Sequence, residues 1–132
     1  MSEYKFVIDG IHYGKNRVMP DLNNYIASCN RHHMRGASLK KDYMLIANNA
    51  IRRQLGRLKI TKKVYINYHH YEADMRRDKS NVGSFAVKVI EDSLQACGVL
   101  SNDGWANIAG YSQEFDIDKL NPRIEVTITE VD

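Results

Sequence analysis

The strongest constraint on the fold is a helical repeat within residues 74–103, where apolar side chains recur at three- and four-residue steps. This spacing places them on one face of a helix, and that face must pack against a hydrophobic core. We predict an amphipathic helix that begins at about Asn81, has Ser80 as its N-cap and ends at Gly98. Its predicted core residues are Val82, Phe85, Ala86, Val89, Ile90 and Leu94.

The polar face of this helix and the two loops beside it carry acidic residues and a lysine. Asp78 precedes the helix, Lys88 and Asp92 lie one turn apart within it, and Asp103 follows it. Mg²⁺ is usually held by one or two carboxylates together with water and substrate phosphate, so the pattern is typical of a hard-cation site. It also fits a solvated ion pair and acids that complement a helix dipole, and both interpretations stay open.

Charge is divided unequally along the chain. Residues 1–63 contain 13 Lys and Arg but 4 Asp and Glu, whereas residues 64–132 contain 6 and 12. A basic half beside an acidic pocket suits a nuclease, because phosphate binding requires positive charge and metal ligation requires carboxylates. The alternative is that the opposite charges complement each other within the fold or across a dimer interface.

The remaining periodicities predict a single α+β domain over residues 1–132. Apolar steps of three and four predict a second helix at 38–58, and residues 14–25 are expected to form a long polar loop. Alternating residues predict strands at 4–8, 62–71, 107–118 and 124–128. The order is therefore βαβαββ, a mixed four-stranded sheet with two helices packed on one face.

Cysteine usage and hydropathy indicate the compartment. Cys29 and Cys97 belong to no CxxC or Cys/His spacing, which fits a reduced intracellular environment. No window approaches the roughly 18 apolar residues of a membrane span, and the N-terminus does not have the pattern of a secretory leader. We expect an unprocessed, cytoplasmic protein with no membrane partner.

Four motifs together resemble the RusA-type Holliday junction resolvases, which are small, dimeric, Mg²⁺-dependent endonucleases of phages and prophages. The motifs are RRDKSN at 76–81, KVIEDSL at 88–94, GVLSNDGW at 98–105 and PRIEVTITE at 122–130. The resemblance covers nearly the whole length. It implies a RusA-like fold, a homodimer, a four-way DNA junction as the partner, Mg²⁺ as the cofactor with Mn²⁺ as a substitute, and a role in DNA recombination and repair.

The resemblance also implies the site residues. In this family, acids of the two loops hold the metal and the helix lysine assists catalysis. Carried over, Asp78, Asp92 and Asp103 are the predicted metal ligands and catalytic acids. Lys88 is the predicted catalytic lysine, which would contact the phosphate.

The chain departs from the family pattern in three places. Ser80 stands where the second Asp of the first loop belongs, and Asn102 replaces the first member of an Asp pair. About four extra residues, or one helical turn, separate Asn81 from Lys88. Losing the carboxylate at Ser80 should weaken Mg²⁺ binding unless a nearby acid compensates. The candidates for that acid are Asp92, Asp74 and Glu91.

Basic and amide side chains outside the metal site are predicted to contact DNA. The Asn-Arg pair at 16–17 resembles the end of the family's first loop, and residues 30–41 carry several cations in a polar segment. The same segment also fits an ordinary solvated loop. The predicted DNA contacts are Lys15, Asn16, Arg17, Arg31, Arg35, Lys40, Lys41, Arg76, Arg77, Lys79 and Asn81.

Three other residues are expected to be structural. His69 and His70 are adjacent in a strand, so they should face opposite sides of the sheet and not share a metal. Trp105 follows the second acidic loop and is expected to prop it rather than stack on a base.

Two functions follow from these patterns. The first is a homodimeric, Mg²⁺-dependent endonuclease that hydrolyses phosphodiesters at branched DNA, each subunit cutting one strand. The second is a RusA-like module that binds junctions without cutting them, and Ser80 is the residue that suggests it.

Overall fold

The computed structural model describes residues 2–31 and 33–131, with side chains described for all of these except residues 15, 16, 31 and 33–37. Strand β1 (Glu3–Asp9) and a 3₁₀ segment (Gly10–Asn16) are followed by helices α1 (Leu22–Arg31) and α2 (His33–Leu55). Strand β2 (Val64–Glu72) leads into helix α3 (Lys79–Ala96), and strands β3 (Ile108–Ile117) and β4 (Arg123–Glu130) complete the fold.

The strands form one mixed sheet in the order β1-β4-β2-β3. β4 is antiparallel to both β1 and β2, whereas β2 and β3 are parallel neighbours. Parallel neighbours need a crossover connection, and α3 supplies it. The predicted α+β class with a mixed four-stranded sheet is therefore confirmed.

Alternate residues of β1, β2 and β4 form the core together with the helices. Between these buried positions lie partly or fully exposed ones, such as Lys5, Tyr65 and Thr127, on the other face of the sheet. The apolar face predicted for α3 is also confirmed, because every residue assigned to it is buried: Val82, Phe85, Ala86, Val89, Ile90 and Leu94.

Helix α1 begins within the segment predicted as a long polar loop and continues beyond it, so the prediction of two helices is wrong and the element order is βααβαββ. Asp21 and Asn24 begin this helix by reciprocal capping: Asn24 N donates to Asp21 Oδ1 at 2.9 Å, and Asp21 N donates to Asn24 Oδ1 at 3.2 Å. Tyr25 then packs on Phe85 of α3, with ring centroids 5.2 Å apart. The polar cap and this aromatic contact stabilise a short helix whose apolar residues Leu22, Tyr25, Ile26 and Cys29 recur at three- and four-residue steps.

The ends of α2 and α3 also differ from the predicted ones. α2 ends at Leu55, three residues earlier than predicted, since Gly56 takes the left-handed conformation with φ of 64°. α3 has Asp78 rather than Ser80 at its N-cap position, and the Asp78 carboxylate makes no capping hydrogen bond. Ser80 lies inside the first turn, where its carbonyl accepts a hydrogen bond of 2.6 Å from Ser84 Oγ. Gly98, with φ of 75°, lies just beyond the end of α3 as predicted.

Among the described residues, no helix combines the length and the apolar character that crossing a bilayer requires.

The two adjacent histidines face opposite sides of the sheet, as predicted. His69 lies on the more exposed face between Glu114 and Asp116, at 3.1 and 2.6 Å. His70 is fully buried, and its Nε2 lies 2.8 Å from Gln113 Oε1. Gly83 of α3 makes room for this contact, because a Cβ there would clash with the Gln113 side chain.

We expect the free energy of unfolding to fall as the pH decreases from about 6.5 to 4, because burial lowers the pKa of His70 from 6.5 to about 4. The unfolded chain binds a proton at His70 in this range and the folded chain does not, so acid favours unfolding by up to about 3 kcal/mol. Urea denaturation at pH 7.5, 5.5 and 4.5 measures the effect. His70→Phe should show a smaller fall, whereas substitution of the exposed His12 by Asn should follow the wild type. Equal falls in wild type and His70→Phe would contradict the assignment.

Candidate functional site

The polar face of α3 and the loop after it bring three of the four predicted catalytic residues together. Lys88 Nζ lies 3.2 Å from Asp92 Oδ1 and 3.9 Å from Asp103 Oδ2. The side chain of Lys88 is more than half exposed, whereas those of Asp92 and Asp103 are 20% and 29% exposed. The lysine therefore bridges two partly sheltered carboxylates and remains accessible from solvent.

Asp92 is paired on both of its oxygens. Lys40 of α2 approaches Asp92 Oδ2 at 2.8 Å, while Lys88 takes Oδ1. Burial alone would raise the pKa of Asp92, but hydrogen bonds from the two lysines outweigh it and lower the pKa. The same hydrogen bond to Asp92 raises the pKa of Lys88. Lys40, predicted to contact DNA, thus has an internal partner that holds Asp92 in place.

Glu91 is the acid of this site that lacks a comparable counterion. Burial, and then the negative charge of Asp103, raise the pKa of Glu91. Lys88 opposes this shift but does not reverse it. Glu91 and Asp103 are thus two neighbouring carboxylates whose repulsion is incompletely balanced. The sequence predicts Glu91 only as one of three acids that could compensate for Ser80. Glu91 and Asp92 are adjacent on the helix, and their order in the sequence does not show which of them lies nearer to the loop that carries Asp103.

A buried hydroxyl group lies beneath Glu91. Tyr68 of β2 is fully buried, and its hydroxyl interacts with the Glu91 carboxylate in a contact that falls short of standard hydrogen-bond geometry. Burial first, and the charge of Glu91 second, raise the pKa of Tyr68. A buried hydroxyl group usually needs a hydrogen-bond partner, and Glu91 is the neighbouring acceptor at this position in the core.

An open cleft of about 330 Å³ adjoins these residues. Its lining includes the acids Glu91 and Asp103 and the aromatic residues Trp105 and Tyr111. The prediction that Trp105 props the loop is wrong, because the indole is 95% exposed. Tyr111 is 53% exposed. The cleft therefore combines carboxylates with accessible aromatic rings.

Local hydrogen bonds fix the loop that carries Asp103. Asn102 Oδ1 accepts from Asp103 N at 2.8 Å, so this amide, which replaces the first Asp of the family pair, stabilises the turn. Asn107 N donates to Gly104 O at 3.0 Å, and Asn107 O accepts from Val64 N at 2.9 Å. The loop is thereby attached to the start of β2.

Asp78, the fourth predicted catalytic residue, is not brought to this cluster. It is exposed at the start of α3, ten residues before Lys88, which corresponds to about 15 Å along a helix. The extra turn between Asn81 and Lys88 lengthens this separation. Within the described residues, no group of three or more His, Cys, Asp or Glu side chains is arranged to hold a metal ion. The expected three-aspartate centre is therefore not assembled within one protomer.

Several predicted DNA contacts have structural partners instead. Arg77 makes two hydrogen bonds to Glu72, at 2.9 and 3.0 Å, and one to Met19 O at 2.7 Å. Arg17 donates to Leu120 O at 2.6 Å.

Other predicted contacts remain exposed or lie outside the description. Lys41, Arg76 and Lys79 are exposed, and Asn81 is partly exposed in the first turn of α3. Arg76 also lies 3.6 Å from Asp74. The side chains of four other predicted contacts lie outside the described residues: Lys15, Asn16, Arg31 and Arg35.

No protein-family model matches the chain, and a comparison with curated proteins also found no match.

We expect Glu91→Gln to stabilise the protein at pH 7.5 and Asp92→Asn to destabilise it, each by about 1 kcal/mol. The raised pKa of Glu91 means that any stability due to its protonated form is lost as the pH rises through that pKa. Gln removes this loss, whereas Asn at position 92 leaves Lys40 and Lys88 without their shared carboxylate.

Urea denaturation of both variants at pH 7.5 and 4.5 measures these effects. The advantage of Glu91→Gln should shrink at pH 4.5, because the raised pKa of Glu91 favours protonation of the wild-type carboxyl group as the pH falls. A destabilised Glu91→Gln at pH 7.5 would show that Glu91 has a stabilising partner.

Proposed function

We propose that the protein is a Mg²⁺-dependent endonuclease that acts on branched DNA, as its resemblance to the RusA-type resolvases implies. The observation that supports it most directly is the position of Lys88, between Asp92 and Asp103 and beside the unbalanced Glu91. A lysine and neighbouring carboxylates at an open cleft provide the charges that a phosphodiester and a hard cation require.

In this proposal, Glu91 and Asp103 would hold a single Mg²⁺ or Mn²⁺ ion. Two carboxylates suffice, because Mg²⁺ commonly retains several waters and takes substrate phosphate as a further ligand. A cation there would offset their mutual repulsion, which is one cause of the raised pKa of Glu91. When bound, such an ion polarises a phosphoryl oxygen and lowers the pKa of a bound water.

The other side chains have distinct tasks in this proposal. Lys88 keeps its proton, because its pKa is raised by the hydrogen bond to Asp92. Its exposed ammonium group can therefore bind a phosphate oxygen of the substrate. Asp92 orients Lys88, and Lys40 in turn fixes Asp92 through Oδ2. Asp92, predicted as a metal ligand, is thus better suited to positioning the lysine.

The proposed assembly is a cytoplasmic homodimer on a four-way DNA junction. A two-fold axis would relate two identical sites, which suits the paired cuts that junction resolution requires. Light scattering coupled to gel filtration establishes whether the chain is a dimer.

The second candidate function is junction binding without cleavage. Ser80 lacks the carboxylate of the family pattern, Asp78 is remote from the other acids, and both oxygens of Asp92 are paired with lysines. These features favour a weak metal site. Cleavage and metal-binding measurements distinguish the two functions.

We expect Asp103→Asn to reduce junction cleavage by about 100-fold or more and Asp78→Asn to change it by about twofold or less. Asp103 adjoins Lys88, whereas Asp78 is the N-cap residue of α3 and lies almost three helical turns before Lys88. The assay compares a labelled four-way junction with linear duplex, with and without Mg²⁺. Binding without cleavage by the wild type would favour the second function. Loss of cleavage in Asp78→Asn alone would place the active centre at the start of α3.

Metal binding can be measured without cleavage through Trp105, the single tryptophan of the chain. Its exposed indole lies two residues from Asp103 and lines the same cleft. Paramagnetic Mn²⁺ should quench its fluorescence in a saturable manner. Asp103→Asn should raise the Mn²⁺ concentration at half-quenching by at least about tenfold, whereas Asp78→Asn should leave it unchanged. Equal, non-saturable quenching in all three proteins would rule out a metal site at the cleft.

A further inference from the structure

A series of exposed cations extends from the last turn of α2 to the residue before β2. No Asp or Glu occurs from residue 43 to residue 71, whereas this interval contains six Lys and Arg. All six are exposed. We refer to this set as the basic strip: Arg52, Arg53, Arg57, Lys59, Lys62 and Lys63.

The basic strip has no ion-pair partner among the side chains that the structure describes. None of the ion pairs between described residues involves any of its members. Arg52 and Arg53 lie in the last turn of α2, where they complement the helix dipole. The other four lie beyond the helix, so the dipole does not account for them. Like charges held close together repel one another, and an anionic partner would remove that cost.

Backbone hydrogen bonds fix the segment that carries the strip. Gly56 N donates to Arg52 O at 3.0 Å and closes the end of α2. Ile60 is buried, and its N donates to Val99 O at 2.9 Å, which attaches the segment to the end of α3. A groove of about 660 Å³ lies between the two helix ends, lined by Arg52, Arg57 and Lys59 among others. The cations are thus attached to a well-anchored backbone.

The strip ends beside the candidate site. Lys63 immediately precedes Val64, whose N donates to Asn107 O at 2.9 Å. Asn107 closes the loop that carries Asp103 through its bond to Gly104 O. A linear anion that follows the strip from α2 toward β2 therefore reaches the edge of the cleft formed by Asp103 and Trp105.

We propose that the basic strip binds the phosphate backbone of DNA and leads it to the cleft at Asp103. The identity of the ligand rests on the proposed function, whereas the location rests on the exposed, unpaired cations. Phosphate contacts by Lys and Arg supply most of the non-specific affinity for DNA. The strip, rather than residues 15–17 and 30–41, is then the main DNA contact.

The test uses the full chain and measures binding separately from cleavage. Fluorescence anisotropy with a labelled four-way junction in EDTA gives the dissociation constant over a series of salt concentrations. The strip variants are Arg53→Gln with Arg57→Gln, and Lys62→Gln with Lys63→Gln. The matched control, Lys5→Gln with Lys119→Gln, also removes two exposed positive charges. Lys41→Gln with Lys79→Gln tests two of the contacts expected from the sequence.

Each strip variant should weaken binding about tenfold and reduce the slope of log K against log salt by about 2, because each lost phosphate contact lowers that slope by about 1. The control pair should change neither quantity appreciably. Equal weakening in the control, or greater weakening in the Lys41 and Lys79 pair, would overturn the assignment. Circular dichroism of each variant checks that the fold is retained.

Two further outcomes separate this inference from the proposed nuclease. Strip-dependent binding by a protein that never cuts would support the strip and reject the nuclease. Absence of DNA binding, with strip-dependent binding to vesicles that contain phosphatidylserine, would overturn the strip as a DNA site and identify it as a membrane contact.

Discussion

The packing of the apolar face of α3 into the core determines where every residue of the candidate site lies. Val89 and Ile90 are fully buried, so α3 cannot rotate about its axis without exposing them. Lys88, Glu91 and Asp92 consequently have fixed directions on the opposite surface. Gly98 then ends the helix, and the loop returns Asp103 to Lys88 before joining β3. Because β2 and β3 are parallel neighbours, α3 is also the crossover that connects them.

The acidic groups around α3 are not equally neutralised by neighbouring lysines. Asp92 has two lysine partners, whereas Glu91 and Asp103 share the influence of Lys88 alone among the lysines. Beneath Glu91, the buried Tyr68 hydroxyl makes only an irregular contact with that carboxylate. Stability is therefore lower here than a fully paired arrangement would allow, and such losses are typical of sites that bind a ligand.

The strands and the apolar face of α3 were predictable from sequence because burial on one side imposes a simple period. Helix α1 was not, since its start depends on the reciprocal bonds of Asp21 and Asn24 and its packing on Tyr25. Leu22, Tyr25, Ile26 and Cys29 do recur at helical steps, but the repeat covers only 10 residues and follows a polar stretch, so it is easily read as part of a loop.

The candidate site was predictable only in part, and for a related reason. Lys88 and Asp92 are one turn apart in sequence, so their proximity follows from helix geometry alone. The return of Asp103 to Lys88 depends on the loop, for which the family resemblance was the guide. The same resemblance was misleading for Asp78. The extra residues between Asn81 and Lys88 lie in a continuous helix, so each of them moves Asp78 further from Lys88 along the helix axis.

Because Asp78 lies far from Asp103, the proposed cation would have two carboxylate ligands within one protomer rather than three. Three acids around one cation would bind it without assistance, whereas Glu91 and Asp103 alone leave most ligand positions to water and phosphate. In the proposed function, metal and DNA would then bind cooperatively, because the DNA phosphate would provide a ligand for the metal and the metal would provide positive charge for the phosphate. The basic strip fits this arrangement, since it would attract the phosphate backbone independently of the metal and deliver it to the cleft. In the proposed function, a weak cation site at the cleft and a polyanion-binding strip would complement each other, and they would draw on the acidic and basic halves of the sequence respectively.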